Sequence, residues 1–491
     1  MNLRDEVHDL LRKIGPGQMM TTAYDTAWVA RLIELGDPLG HRALDWLREH
    51  QLEDGSWGAE YPIYHHDRVI CTLAAMNALA RRNRPADRPR LRRAESALEY
   101  HISRLNLDPA GETIGFEMIV PTLLREAKTL GALHRDELAV INALAPRRAA
   151  KLAVLPKKMI SRYVTVAFSA EMAGMDGLDL LDVDHLQESD GSISYSPSAT
   201  AFYALHVRPN DPVALEYLRR VAPDGKAPNV APFDMFEQAW SLWNLSLTGE
   251  LDAETLQLCQ SHLDFLQNAW IPGRGAGFAA NYESKDSDVT SLVYEVLSRF
   301  GRQVDFAAIL GYEEPYYFRC YALESNPSVS ANIHVLASLR QAGLELTHPA
   351  IQKAARFIEV ARDTRSFWFD KWHASPYYVT AHAIIACSGY NDTLVQDAVK
   401  WLLSTQNPDG SWGYYMPTAE ETAYCLQALV VWHKHGIDIP SEVFSRAGAW
   451  LQENMDPPYF PLWVGKCLYC PELVVRSTIL SALILVNGVL Q

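Results

Sequence analysis

Apolar residues recur along this chain at intervals of three and four. In Asn281–Phe300 (NYESKDSDVTSLVYEVLSRF), Val289, Leu292, Val293, Val296, Leu297 and Phe300 fall at i, i+3, i+4, i+7, i+8 and i+11. That spacing is one continuous apolar face of a helix. The same period predicts helices over Asp67–Arg81, Pro232–Leu247, Ser328–Gln341, Pro349–Arg362, Tyr377–Cys387, Thr393–Leu403 and Glu420–His433. No β alternation interrupts them, and the joins are short and rich in Gly, Pro, Asn and Asp, as helical hairpins require. The pattern predicts an all-α protein.

A repeat organises these helices. Gln51-Leu-Glu-Asp-Gly-Ser-Trp57-Gly58 returns as Gln406-Asn-Pro-Asp-Gly-Ser-Trp412-Gly413, with a weaker copy at Gln187–Ser192. Each copy lies between helices, where Asp-Gly turns the chain and Gln and Trp are available as ties. The strong copies stand far apart, so two related α/α barrels are expected rather than one open solenoid.

Composition narrows the partners. At 491 residues the chain exceeds one ordinary core, and its net charge of −15 argues against nucleic acid or an anionic membrane as main partner. The charged N-terminal helix lacks a signal-peptide apolar region, and no run of about 18 apolar residues is expected, so no membrane insertion is predicted. Seven scattered cysteines suit a reduced, cytoplasmic location. Cys467 and Cys470 have no second pair to complete a zinc site and read as core thiols.

Asp286 and Asp288 stand at the start of the Val289–Phe300 helix. They read either as caps that favour its dipole or as a carboxyl pair at the mouth of an apolar space. In the second case at least one of the pair has a raised proton affinity, and it can protonate a weak base. Asn332, His334 and His382 are polar positions inside apolar helical runs. Thirteen Trp, 22 Tyr and 15 Phe supply either large cores or a cavity whose ring faces stabilise cations.

Taken in order, these stretches resemble the class II terpene cyclases, specifically the bacterial class II diterpene cyclases of the copalyl diphosphate synthase type. The similarity includes Thr21–Arg31, Gln51–Gly58, His66–Ala75, Ile114–Leu124, Asp190–Phe202, Phe233–Trp240, Glu324–Leu336, Asn407–Leu429 and Pro461–Leu480. The family's Asp-x-Asp-Asp-Thr box aligns with Asp286-Ser287-Asp288-Val289-Thr290, and Val289 departs from it.

The resemblance implies residues 1–35 as the N-terminal part of a β domain, 36–225 as an inserted γ barrel, and 226–491 as the rest of the β barrel. The cavity would lie between the barrels. Asp288 would be the general acid and Asp286 its partner, with Asn332 and His334 as candidates for ending the reaction. Phe236, Trp240, Trp368, Trp372 and Tyr377 would wall the cavity, with Tyr195, Tyr317, Phe367 and Trp463 as further rings. Arg68 and Lys466 would hold the diphosphate, and Glu60 and Glu117 a Mg²⁺ ion.

The implied reaction is protonation-initiated cyclisation of geranylgeranyl diphosphate to a labdane-, halimadane- or clerodane-type bicyclic diphosphate. No DDxxD ionising motif occurs, so the diphosphate would be retained for a downstream class I terpene synthase or a phosphatase. The alternatives are farnesyl diphosphate giving a drimane, a squalene- or meroterpenoid-type cyclisation without a diphosphate, and a non-catalytic helical scaffold that binds a prenyl lipid.

Overall fold

The computed structural model describes residues 2–134, 143–249, 251–324, 326–436 and 438–490. Each helix expected from the apolar period is present, with ends within two residues of the expected ones. The helices that build the two cores are α1 (Leu3–Lys13), α2 (Ala23–Ala30), α3 (His65–Ala80), α4 (Phe116–Thr129), α5 (Asp234–Ser246) and α6 (Ser287–Arg299). They continue with α7 (Val329–Gln341), α8 (Pro376–Cys387), α9 (Ala419–Lys434) and α10 (Glu472–Leu490).

In the C-terminal barrel α5, α6, α7, α8, α9 and α10 each pack on the next, and α10 closes back on α5. Outer helices such as Pro349–Val360 and Asp392–Ser404 lie between them in sequence and outside them in space. Inner helices enter from capped starts: Asp286, Ser328, Ser375 and Thr418 each accept a backbone N–H of the first turn. Such caps contribute about 1 kcal/mol each and fix where the helix mouth lies. A smaller ring closes through α2, α3, α4, the turns at Thr165–Ala173 and the short helix Pro197–Phe202.

The smaller barrel is an insertion. Val7, Leu10, Leu11 and Ile14 belong to the C-terminal core, whereas Ala23 to Ala227 build the other. The chain therefore crosses between cores before Ala23, earlier than the expected boundary at residue 35. The physical reason is that α2 is buried on every side within the insertion.

The repeat works as a set of ties. The Trp57 and Trp412 indoles donate to Leu47 O and Leu402 O, both at 2.8 Å, each ten residues upstream. Their backbone N–H groups donate to Thr72 and Thr422 hydroxyls on the following inner helices. Gln51, Gln187 and Gln406 each donate to the carbonyl of the turn glycine four residues on. Trp368 repeats the pattern without its Gln and Gly, donating to Ile358 O at 2.7 Å and, through its backbone, to Thr380.

The fold is helical as expected, with one short addition, and one further expectation is corrected. A short hairpin, β1 (Trp463–Val464) paired with β2 (Leu468–Tyr469), interrupts the all-helical run and carries its tip into the insertion, where Cys467 joins that core. In addition, α10 is long and apolar enough to cross a membrane, so the expected lack of such a run fails there. Its apolar residues, Val474, Val475, Ile479 and Leu480 among them, are core residues of the barrel.

Candidate active site

The box sits at the N-terminal mouth of the large barrel. Asp286 caps α6 by accepting the Val289 N–H at 2.7 Å, and the Ser287 N–H is held by Cys320 O at 2.8 Å. This pins the first turn, so Asp288 projects from a fixed backbone. Val289, which departs from the family box, packs into the barrel core. Burial, reinforced by the Asp288 charge and opposed by the Val289 N–H and Lys285, raises the Asp286 carboxyl to about 8. One proton is thus held at this carboxyl pair near neutral pH.

Asp288 Oδ1 lies 2.6 Å from His334 Nδ1, and His334 Nε2 lies 2.8 Å from His382 Nδ1. His382 stacks on Trp243, 4.6 Å away and 15° from parallel. Burial, with His334 and His373 adding to it, pushes the His382 imidazole well below its ordinary value, so it stays neutral. His382, singled out as a polar position, and His334, a candidate for ending the reaction, thus form a chain that reaches Asp288.

Aromatic rings surround this mouth. Trp240 meets the His334 ring edge-on at 5.8 Å and stacks on Phe236 at 3.7 Å. Phe236 then meets Trp463 at 5.3 Å, and Trp463 meets Tyr378 at 4.9 Å. Tyr195 reaches in from the insertion to Phe278 and Tyr282. Glu420 lies beneath the rings, where its Oε1 accepts from Trp463 at 2.8 Å and Tyr424 at 2.9 Å, while its buried Oε2 has no partner.

Several expected site residues stand elsewhere. Tyr377 stacks on Trp401 of an outer helix, and Tyr378, one residue or about 100° further round α8, faces the mouth instead. Trp368 is a tie between helices, and Phe367 and Tyr317 pack outward on Trp401 and Phe357. Asn332 is consumed by backbone: its amide donates to Phe318 O and Ser328 O, and its carbonyl accepts the Phe318 N–H at 2.8 Å. Trp372 lies half-buried beside Tyr321, with its indole N–H buried and unpaired.

The basic residues expected at the diphosphate are also corrected. Lys466, at the hairpin tip, is fully buried and donates to Glu171, Ser196 and Ser198 at 2.6, 2.7 and 2.6 Å. An ammonium has three donors, and all three are used. Arg68 is likewise spent on Asp54, Ser56 and the Ala59 and Glu60 carbonyls. Glu117 pairs with Arg147 and Lys151, two partly exposed cations that the helical pattern did not single out.

The Glu60 carboxylate is exposed, and Glu60 and Glu117 do not meet in any cluster of ligand atoms among the described residues. The one such group there is Asp67, Cys71 and Cys467, but Asp67 accepts the Ala59 and Leu468 N–H groups and thereby ties the hairpin down.

Residues 319–428 match the family model of the squalene-hopene cyclase C-terminal domain. The chain is 47% identical over 496 residues to the type B diterpene cyclase of Mycobacterium tuberculosis, covering 97% of this chain and 98% of that one. It is 31% identical to the chloroplastic ent-copalyl diphosphate synthase of Arabidopsis thaliana, over 74% of this chain and 45% of that protein. The solved structure of ent-copalyl diphosphate synthase from Streptomyces platensis superposes with a TM-score of 0.79 at 27% identity, covering 99% of both chains. Near-complete coverage by a relative of that identity, on this doubly barrelled fold, decides the assignment: the chain belongs to the bacterial class II diterpene cyclases.

Proposed function

We propose that this enzyme cyclises geranylgeranyl diphosphate to a bicyclic diphosphate by protonating its terminal alkene from Asp288. The observation that carries this reading is the asymmetric holding of Asp288. His334 occupies Oδ1, which leaves Oδ2 to carry the delivered proton toward a mouth walled by Trp240, Phe236, Tyr378 and Trp463. Ring faces stabilise the successive cations without trapping them, and a dry wall keeps water from quenching them. Glu420, with its buried unpaired Oε2, is the carboxylate offered there for the final proton loss.

The diphosphate is retained in this reading, because alkene protonation leaves the C–O bond to phosphate untouched. We take Arg147 and Lys151, which pair with Glu117 and stay partly exposed, as the cations that would meet it. Both oxygens of Glu117 already face these cations, so the residues do not fit a preformed Mg²⁺ site; we propose instead that the ion enters on the diphosphate. A downstream class I synthase or phosphatase would consume the product, and the cytoplasmic location expected from the cysteines belongs to the same proposal.

The test is incubation of the purified enzyme with geranylgeranyl and, separately, farnesyl diphosphate, with and without Mg²⁺. Dephosphorylated products are then resolved by gas chromatography and mass spectrometry. A bicyclic C20 alcohol is the expected result. A bicyclic C15 alcohol alone would move the substrate to farnesyl diphosphate. Linear prenols from both would overturn the reading.

A further inference from the structure

Acids outnumber bases along the whole chain, yet one stretch of the insertion reverses that balance. Seven of the thirteen residues from Arg81 to Arg93 are arginine, and Asp87 is the one acid among them. Some of these charges are structural. Arg81 pairs with Glu34 and Glu126, Arg93 donates to the Gln51 side chain, and Asp87 is spent on Arg48 at 2.9 Å. Arg84, Arg88 and Arg92 are exposed and have no ion-pair partner among the described residues. Arg88 and Arg92 stand one turn apart on the outer side of the helix Arg88–Ile102. Arg84 adjoins the start of that helix, where the positive end of its dipole adds to the charge.

Apolar side chains gather further along the same side. Tyr100 lies eight residues beyond Arg92, about 12 Å down the helix, and is 51% exposed. Its ring stands 6.3 Å from that of His65 and carries the Arg104 guanidinium 3.7 Å above it. Asp108 accepts the His65 N–H at 2.9 Å, which brings two more open side chains alongside. These are Ile63, two residues before His65 and 48% exposed, and Leu107, next to Asp108 and 62% exposed. Glu99, an acid on this side of the helix, has its own partner. Apolar side chains gathered in one place beside a basic stripe mark an interaction surface.

We infer that this face of the insertion docks on an anionic membrane, with Arg84, Arg88 and Arg92 on lipid phosphates and Ile63, Tyr100 and Leu107 entering the headgroup layer. The mixture selects the partner. An acidic protein or a nucleic acid would engage the arginines and leave the aliphatic chains wet, whereas a bilayer offers surface charge with hydrocarbon beneath it. The net charge of −15 opposes a polyanion that wraps the molecule, but a membrane meets one face only, and the remaining charges are screened. Tyr64, between Ile63 and His65, packs with Val464 and Leu468 of the hairpin, so the docked face adjoins the seam between the barrels. On the cyclisation reading, a substrate with a C20 chain is taken from the bilayer beside that seam. The docking itself does not depend on that reading.

The test is cosedimentation of the purified, substrate-free enzyme with two kinds of vesicle: phosphatidylcholine alone, and equal parts of phosphatidylcholine and phosphatidylglycerol. The parent should bind the mixed vesicles, and binding should fall as salt rises. Arg84→Gln, Arg88→Gln and Arg92→Gln together should weaken it about 100-fold, near fivefold per charge, with an unchanged thermal midpoint. The same replacement at Arg356, Arg365 and Lys400, exposed cations elsewhere, should leave binding at the parent's level. Ile63→Ser with Leu107→Ser should weaken it about tenfold at every salt concentration, because burial of apolar surface is not screened. No binding to mixed vesicles, equal binding to phosphatidylcholine alone, or equal losses in the two Gln variants would overturn the inference. Loss in the arginine variant with none in the serine variant, together with displacement by polyglutamate, would also overturn it and give the face to an acidic protein. Vesicle binding is read without substrate, so a failure to cyclise leaves the docking result standing.

Discussion

Two buried ionisable networks sit on either side of the hairpin, and they are finished differently. At the hairpin tip Lys466 meets Glu171, Ser196 and Ser198, and all three of its protons are placed. At the barrel mouth Asp288 is held by one oxygen, its histidine chain runs on into a cavity, and Glu420 keeps an unpaired oxygen. A buried charge with every partner in place is a fastener, whereas a buried acid with one side open can exchange a proton. Sequence character does not distinguish them, because Lys466 and Asp288 are both ionisable residues beside apolar runs. Only the count of satisfied bonds does.

Each side of that contrast can be broken. The largest expected effect is Asp288→Asn, which should lower kcat by about 10³-fold or more while leaving the thermal midpoint nearly unchanged. Loss of cyclic product with an unaltered melt is the signature; unaltered turnover would remove Asp288 from the chemistry. Lys466→Met should do the reverse. Stranding Glu171 uncompensated should cost about 3–5 kcal/mol in chemical denaturation, with turnover per folded molecule retained. If binding of the substrate weakens while stability holds, Lys466 is a ligand residue after all.

The pH profile sharpens the same contrast. Burial lifts Asp286 to about 8, far above a free aspartate, so the folded state holds a proton that the unfolded chain gives up near pH 4. Its contribution to stability is therefore whole below about pH 4 and is lost as pH rises through about 8. Turnover should fall above the same value, close to tenfold per unit, and Asp286→Asn should move that limb. The smallest effects separate ties from walls. Trp368→Phe should cost about 1–3 kcal/mol by leaving Ile358 O unpaired, without altering the product. Tyr378→Phe and Tyr377→Phe should divide between them, the former changing product proportions and the latter doing neither.

The box helix, the inner helices and the Trp repeat were legible because each is a local pattern with a short period. The phase within a buried helix was not. α8 is apolar on all sides, so nothing in its pattern distinguished Tyr377, facing the outer wall, from Tyr378, facing the mouth. Trp368 lacks the Gln and Gly that flagged the other copies. The partners of Lys466 lie roughly 270 to 300 residues away in the chain, and no spacing rule reaches that far. His334 was singled out as polar in apolar surroundings, but its pairing with Asp288 and His382 depends on three helices meeting in space.

The insertion also sets an order of events during synthesis. α1 packs on Ala253–Ala269 and on α10, so a helix made ahead of the insertion completes its contacts only when α10 has been made. At ordinary elongation rates that interval is on the order of a minute. Meanwhile residues 23–227 can close their own core, lacking only Cys467 from the hairpin. The nascent chain therefore carries a finished small barrel between two unfinished pieces of a large one, and the side of α1 that meets α10 stays uncovered until α10 is made. A trigger for chaperone capture, or for premature association of neighbouring chains on one message, is thus written into the topology at Val7, Leu10 and Leu11.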